Sequence, residues 1–169
     1  MSKRKRKTTR KKIHQLEWAK FTTKGMPSPK HKAGSFKKKG VMYEKRVADY
    51  CRSHYGGRVS HGQWIKFEDE RGAGKCQPDI LILPRSKEDP IVIIECKLTW
   101  KKGVEDKIKG VYGTCIKDIF PGYKVRYIQA CKRLSRSFKG VIIDELPEAF
   151  SPDLSPDYVT INLREIAEI

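Results

Sequence analysis

The chain has 169 residues, a net charge of +17 and 38% hydrophobic residues, which suits one domain, or one domain with a tail. No apolar run approaches the ~18 residues of a membrane span, and the basic opening MSKRKRKTTR is followed by no apolar segment, which argues against a secretory signal. Five scattered cysteines without a C-x-x-C pair argue against a disulfide framework or a zinc ribbon and read as buried thiols in a reducing, intracellular compartment.

The charge is concentrated at the start. Residues 1–40 hold 15 Lys/Arg and one acidic residue, Glu17, for +14, whereas the remaining 129 hold 22 Lys/Arg and 19 Asp/Glu, for +3. Residues 1–40 therefore read as a basic, largely disordered arm that grips a polyanion through phosphate contacts, with a solubility tail or nuclear-targeting signal as the bland alternatives. Within it, Ile13, Leu16 and residues 18–21 suit a short amphipathic turn. Residues 41–169 then form the folded domain. Tyr43, Val47, Tyr50, Cys51 and His54 recur at helical spacing, so 41–55 predicts a helix stopped by Gly56-Gly57. Residues 58–68 predict a strand bent at Gly62, and 69–77 (DERGAGKCQ) a polar glycine-rich loop. Strands at 78–83 and 91–97 flank the turn PRSKEDP. Ile108, Val111, Tyr112, Cys115 and Ile119 place a helix over 103–119, ended by Pro121-Gly122. Strands follow at 123–131, 139–143 and 158–163, with a proline-rich loop at 147–157 and a helix start in the last six residues. The expected fold class is α/β, a mixed central β-sheet flanked by helices.

The chemistry is concentrated in CQPDILILPRSKEDPIVIIECKL, residues 76–98. Side chains alternate along a strand, so Glu95 and Lys97 share a face and Cys96 opposes them. The seven-residue turn 84–90 makes an antiparallel hairpin, which sets Asp79 at the start of one strand beside the end of the other. Asp79, Glu95 and Lys97 should converge. Two neighbouring carboxylates repel, and burial penalises both. A shared proton or a divalent cation relieves them, and an oxygen-only donor set suits Mg²⁺ or Mn²⁺. With a lysine beside the ion, this is equipment for metal-assisted phosphodiester hydrolysis.

Pro78-Asp79, a 15-residue gap and Glu95-Cys96-Lys97 resemble the signature of the PD-(D/E)XK nuclease superfamily, which includes restriction endonucleases, Holliday junction resolvases and small phage endonucleases. The match covers residues 41 to about 131, and GAGKCQPDI with E-x-K is most similar to the cellular resolvases. The resemblance implies a restriction-endonuclease-like core of helix, three strands, helix and strand. It makes Asp79 and Glu95 metal ligands, the Cys96 backbone carbonyl a third, and Lys97 the residue serving the attacking water. Many members add a glutamate from the first helix; Glu44 matches it, and Glu68, Asp69 or Glu70 are alternatives.

The Gly72-Ala73-Gly74 loop reads as a place for DNA backbone to approach, with Arg71 and Lys75 as phosphate contacts. Gly74-Lys75 is not a P-loop, because a strand rather than a helix follows. Lys101 and Lys102 open the next helix and would touch the strand being cut. The four histidines show no metal-ligand spacing. The expected function is a Mg²⁺-dependent DNA endonuclease with no small-molecule cofactor and no membrane partner, acting in the cytoplasm (a host's, if phage-encoded). Junction cutting would require two sites and hence a homodimer. An exonuclease or RNA-directed nuclease on the same core is the alternative enzyme. A nucleic-acid-binding protein with a relic site is the alternative outside enzymes.

Overall fold

The computed structural model describes residues 10–25 and 32–163. Two sheets are present. Strands β2 (Val59–His61), β5 (Ile80–Ile82), β6 (Ile91–Thr99), β7 (Val125–Arg133), β9 (Tyr158–Asn162) and β8 (Ile142–Ile143) form one mixed sheet in that spatial order. Strands β1 (Leu16–Thr22), β3 (Trp64–Asp69) and β4 (Gly72–Cys76) form a smaller antiparallel sheet. The architecture is α/β, with a central mixed sheet flanked by helices.

Strand alternation divides the core. Val92, Ile94 and Cys96 of β6 pack with Ile80, Ile82, Ile128 and Val159 against α1 (Phe36–Tyr55), through its buried Tyr43, Val47, Ala48 and Cys51. Ile91 and Ile93 face the other way, onto Ile108, Val111, Tyr112 and Cys115 and onto Ile65 and Phe67 of the small sheet. The central strands are apolar on both faces because both are covered. β6 and β7 run parallel, joined by a crossover made of α2 (Val104–Lys107), a π-helical turn (Ile108–Gly113) and α3 (Thr114–Ile119). A short α4 (Leu146–Ala149) interrupts the expected proline-rich loop and buries Leu146 and Ala149 against the α1 face. Arg126 staples the segment that follows: its guanidinium donates to the carbonyls of Ala149, Leu154 and Pro156. All five cysteines are free. Among the described residues no helix is long and apolar enough to cross a membrane.

Four sequence expectations change. Helix α1 starts at Phe36 rather than 41, because Ser35 caps it, its side chain accepting from the Lys38 N–H at 3.2 Å. The expected strand 58–68 splits at Gly62, which sits at φ +70°. β2 stays with the main sheet, and β3 departs to the small one. Residues 72–76 are a strand rather than a loop. The largest change concerns the arm. Residues 16–22 pair with β3, and Ile13 is 4% exposed within the core. An averaged composition concealed a short strand that needs only one face of apolar side chains. The expectation of a largely disordered segment 1–40 therefore fails for residues 10–25 and for the start of α1. Residues 1–9, with the KRKRK run, and the helix expected after residue 163 lie outside the described residues.

Candidate active site

The antiparallel register of β5 and β6 pairs Ile80 with Ile94. Continued by one residue, it sets Asp79 opposite Glu95, on the face that holds Leu81 and Ile93. One residue further, Pro78 falls opposite Cys96. Proline has no N–H to give. The Cys96 N–H donates to Asp79 Oδ2, at 2.7 Å. In an extended strand a residue's N–H and C=O point to the same edge, so the Cys96 carbonyl is directed to the same side, where Pro78 offers it no donor. The Pro-Asp pair thus ends the ladder and leaves backbone oxygen and carboxylate together.

Glu95 is 2% exposed. Its Oε1 accepts from Lys97 Nζ at 2.8 Å and from Lys107 Nζ at 3.2 Å. Its Oε2 is buried and has no hydrogen-bond partner among the described residues, a costly state for a carboxylate oxygen. Burial, then the charges of Glu95 and Glu44, push Asp79 up to about 8, against the opposing pull of the Cys96 N–H and Lys97. Glu44, on α1, accepts from His61 Nε2 or shares its proton at 2.8 Å. The Cys96 side chain lies on the opposite face, and burial holds its thiol far above the ordinary range, so it is no nucleophile.

The structure brings Asp79, Glu95, Lys97 and the Cys96 backbone together and sets Glu44 near Asp79. Among the alternatives for a third carboxylate, Asp69 is buried and held by Arg10 and Arg71, and Glu70 accepts from the Gln15 N–H. Burial alone would raise Asp69; the Arg10 hydrogen bond and the Arg71 N–H hold it below the usual range. Arg71 pairs with Asp69 and Glu70 and donates to the Lys12 carbonyl, so it braces the small sheet. Gly74 serves packing: a Cβ there would lie 2.5 Å from the Phe67 ring. That close approach within the hairpin accounts for the glycine. Lys75 lines a recess with Lys107. Lys101 and Lys102 precede α2 in a turn, pinned by buried Gln129, which accepts from the Lys101 N–H at 2.7 Å and donates to its carbonyl at 3.1 Å. Lys107 was missed by sequence reasoning; its reach to Glu95 depends on where the crossover lands, and no local pattern marks it.

Among the described residues, no three His, Cys, Asp or Glu side chains gather closely enough to hold a metal ion by themselves. The donor set nonetheless suits Mg²⁺, which commonly takes one or two carboxylates and keeps waters or substrate oxygens for the rest. The unpartnered Glu95 Oε2, the Asp79 carboxylate and the Cys96 carbonyl are all hard oxygen donors.

The raised Asp79 has a thermodynamic consequence. Without metal, the folded state keeps a proton that the unfolded chain releases above the usual aspartate range. The folded state therefore binds more protons between there and about pH 8, and stability falls as pH rises through this window. In a chelator, Asp79→Asn should lose less melting temperature between pH 5.5 and 8.5 than the unmodified protein. Identical pH dependence of the two would refute the raised carboxyl.

No protein-family model matches the chain, and no curated protein matches it. Among solved structures, that of protein VC1899 from Vibrio cholerae shows a partial likeness at 13% identity, covering 54% of this chain and 23% of that one, with a TM-score of 0.34. The chain thus spans less than a quarter of that protein's length, and so slight a likeness carries no argument.

Proposed function

We propose that the protein is a Mg²⁺-dependent endonuclease of the PD-(D/E)XK kind that hydrolyses DNA phosphodiester bonds in the cytoplasm. The observation that carries this reading is Glu95: a buried carboxylate with one oxygen on two lysines and the other without a partner among the described residues, set across a strand pair from a second carboxylate. Asp79, Glu95 and the Cys96 carbonyl would hold the ion, with Glu44 behind Asp79. Bound there, the cation supplies Lewis-acid charge to the scissile phosphate and acidifies water. Lys97, on the same face as Glu95, orients the attacking water, and its ammonium can move from the carboxylate to a phosphate oxygen. The surplus of basic residues in 1–40 supplies sequence-independent affinity for the phosphate backbone.

The two ammonium groups on Glu95 Oε1 also favour a second reading, a nucleic-acid-binding protein whose relic carboxylate is neutralised by lysine. A substrate panel separates the two. Linear duplex, single strand, flap and four-way junction DNA, and RNA, would each be incubated with Mg²⁺, Mn²⁺, Ca²⁺ or chelator. Cleavage should require Mg²⁺ or Mn²⁺, and Ca²⁺ should support binding without turnover. Full cleavage in chelator, or binding without cleavage of every substrate, would end the metal-nuclease reading. Sedimentation with junction DNA reports whether two copies act together.

A further inference from the structure

The small sheet buries one face and exposes the other. Ile65 and Phe67 of β3 point into the core with Ala19 and Phe21 of β1, so alternation turns Lys66 outward between them. The register is explicit: Lys20 pairs with Lys66, and Lys66 with Lys75. Three lysines therefore stand in one row across all three strands, on one face. Directly opposed side chains of an antiparallel pair have Cβ atoms about 4.5–5.5 Å apart, and like charges there are destabilising.

None of the three makes an ion pair among the described residues. Lys20 and Lys66 sit over the Trp18 ring, with Nζ 5.2 and 6.0 Å from its centre, and Lys75 donates to the Lys24 carbonyl at 2.7 Å. These contacts hold the ammonium groups on the sheet without neutralising them. Among the paired residues of this face the one acid is Glu68, opposite Trp18, so the face keeps a positive charge. Lysines on edge strands block pairing with other chains, which accounts for Lys20 on β1 and Lys75 on β4. It does not account for Lys66, because β3 is the central strand. A row of like charges on a braced surface suits a polyanion. Neighbouring strands lie about 4.8 Å apart, so the row spans about 10 Å. One strand of duplex DNA presents a phosphate every ~3.4 Å of its axis, and the row covers about three of them. Lys75 precedes Asp79 by four residues, at most about 14 Å of chain.

We propose that the outward face of the small sheet is a track for the phosphate backbone of DNA, with Lys20, Lys66 and Lys75 each on a phosphate and Trp18 holding the first two in place. Contacts to phosphate alone carry no sequence preference. That the track leads the strand toward Asp79 rests on the nuclease reading; the binding itself does not.

The full chain in chelator would be titrated with a short labelled duplex at increasing KCl. Lys20→Gln, Lys66→Gln and Lys75→Gln combined should flatten the slope of log K against log salt by about 2.7, or about 0.9 for each contact. Lys20→Arg, Lys66→Arg and Lys75→Arg combined should keep the original slope. Lys87→Gln with Lys124→Gln, at exposed lysines on other parts of the fold, should leave it unchanged. The melting temperature of the triple glutamine variant should hold or rise, because the like-charge row is relieved. An unchanged slope in that variant, or an equal loss in the Lys87 and Lys124 control, would overturn the track even if DNA is cleaved. Lost affinity for phosphatidylserine vesicles with DNA binding intact would give the face to a membrane and overturn it too. A flattened slope with no cleavage in Mg²⁺ would overturn the nuclease reading and leave the track standing.

Discussion

Glu95→Gln and Asp79→Asn should each lower Mg²⁺-dependent cleavage by about a thousandfold or more, the rate equivalent of about 4 kcal/mol of lost transition-state stabilisation. Both substitutions keep shape, remove the charge and exchange one acceptor oxygen for an amide donor. In Asp79→Asn the amide oxygen can still accept from the Cys96 N–H, as Asp79 Oδ2 does at 2.7 Å. Glu95→Gln keeps an oxygen for Lys97 but loses the anionic oxygen that now lacks a partner. DNA affinity should hold or rise, because negative charge leaves the phosphate path. Lys97→Ala should cost on the order of a hundredfold to ten-thousandfold, the usual range for a group that manages a proton. Lys107→Ala tests whether its ammonium on Glu95 at 3.2 Å is shared with the reaction. The readout is single-turnover cleavage at saturating DNA, with melting temperature as the control for folding. Near-normal cleavage by the Glu95 variant would move the chemistry elsewhere. Equal losses of cleavage and stability would reduce Glu95 to a structural ion pair.

The site was legible in the sequence because its geometry is local. Two apolar runs joined by a short turn can pair in few ways, and strand alternation does the rest. Asp79, Glu95 and Lys97 converge for those reasons, and the register of Ile80 with Ile94 bears out the hairpin. The crossover was legible as one helix, since Ile108, Val111, Tyr112 and Cys115 are buried together, but not as the π-helical turn within it. β4 was unreadable because GAGKC looks like a loop. Its glycine answers to Phe67 on the neighbouring strand, a tertiary cause. Lys107 and the recess needed the whole fold. β1 failed for a different reason: charge was averaged over 40 residues, and the seven of LEWAKFT were outweighed by their basic neighbours.

Because β1 belongs to the fold, shortening the chain is not neutral. Removing residues 1–25 should strip β1 from β3, expose the cluster that holds Ile13, and take Arg10 from buried Asp69. Burying one isoleucine contributes about 1.5–3 kcal/mol. Depriving a buried charged group of a hydrogen-bond partner costs about 1–3 kcal/mol or more. Together these approach the about 5–15 kcal/mol by which domains are stable. Urea unfolding should therefore show residues 26–169 destabilised by at least about 3 kcal/mol, or already unfolded. Removing residues 1–9 alone is a different experiment, because Arg10, Ile13 and β1 stay. Stability should be unchanged, and the loss should appear in DNA binding. Residues 3–7 carry five basic side chains; if all five touch phosphate, the slope of log K against log salt flattens by about 4.5. Cleavage at saturating DNA should survive, since the proposed ligands lie far along the chain at Asp79, Glu95 and Cys96. An unchanged salt slope would deny those residues a role on DNA. Full stability of residues 26–169 would deny that β1 and Ile13 hold the fold together.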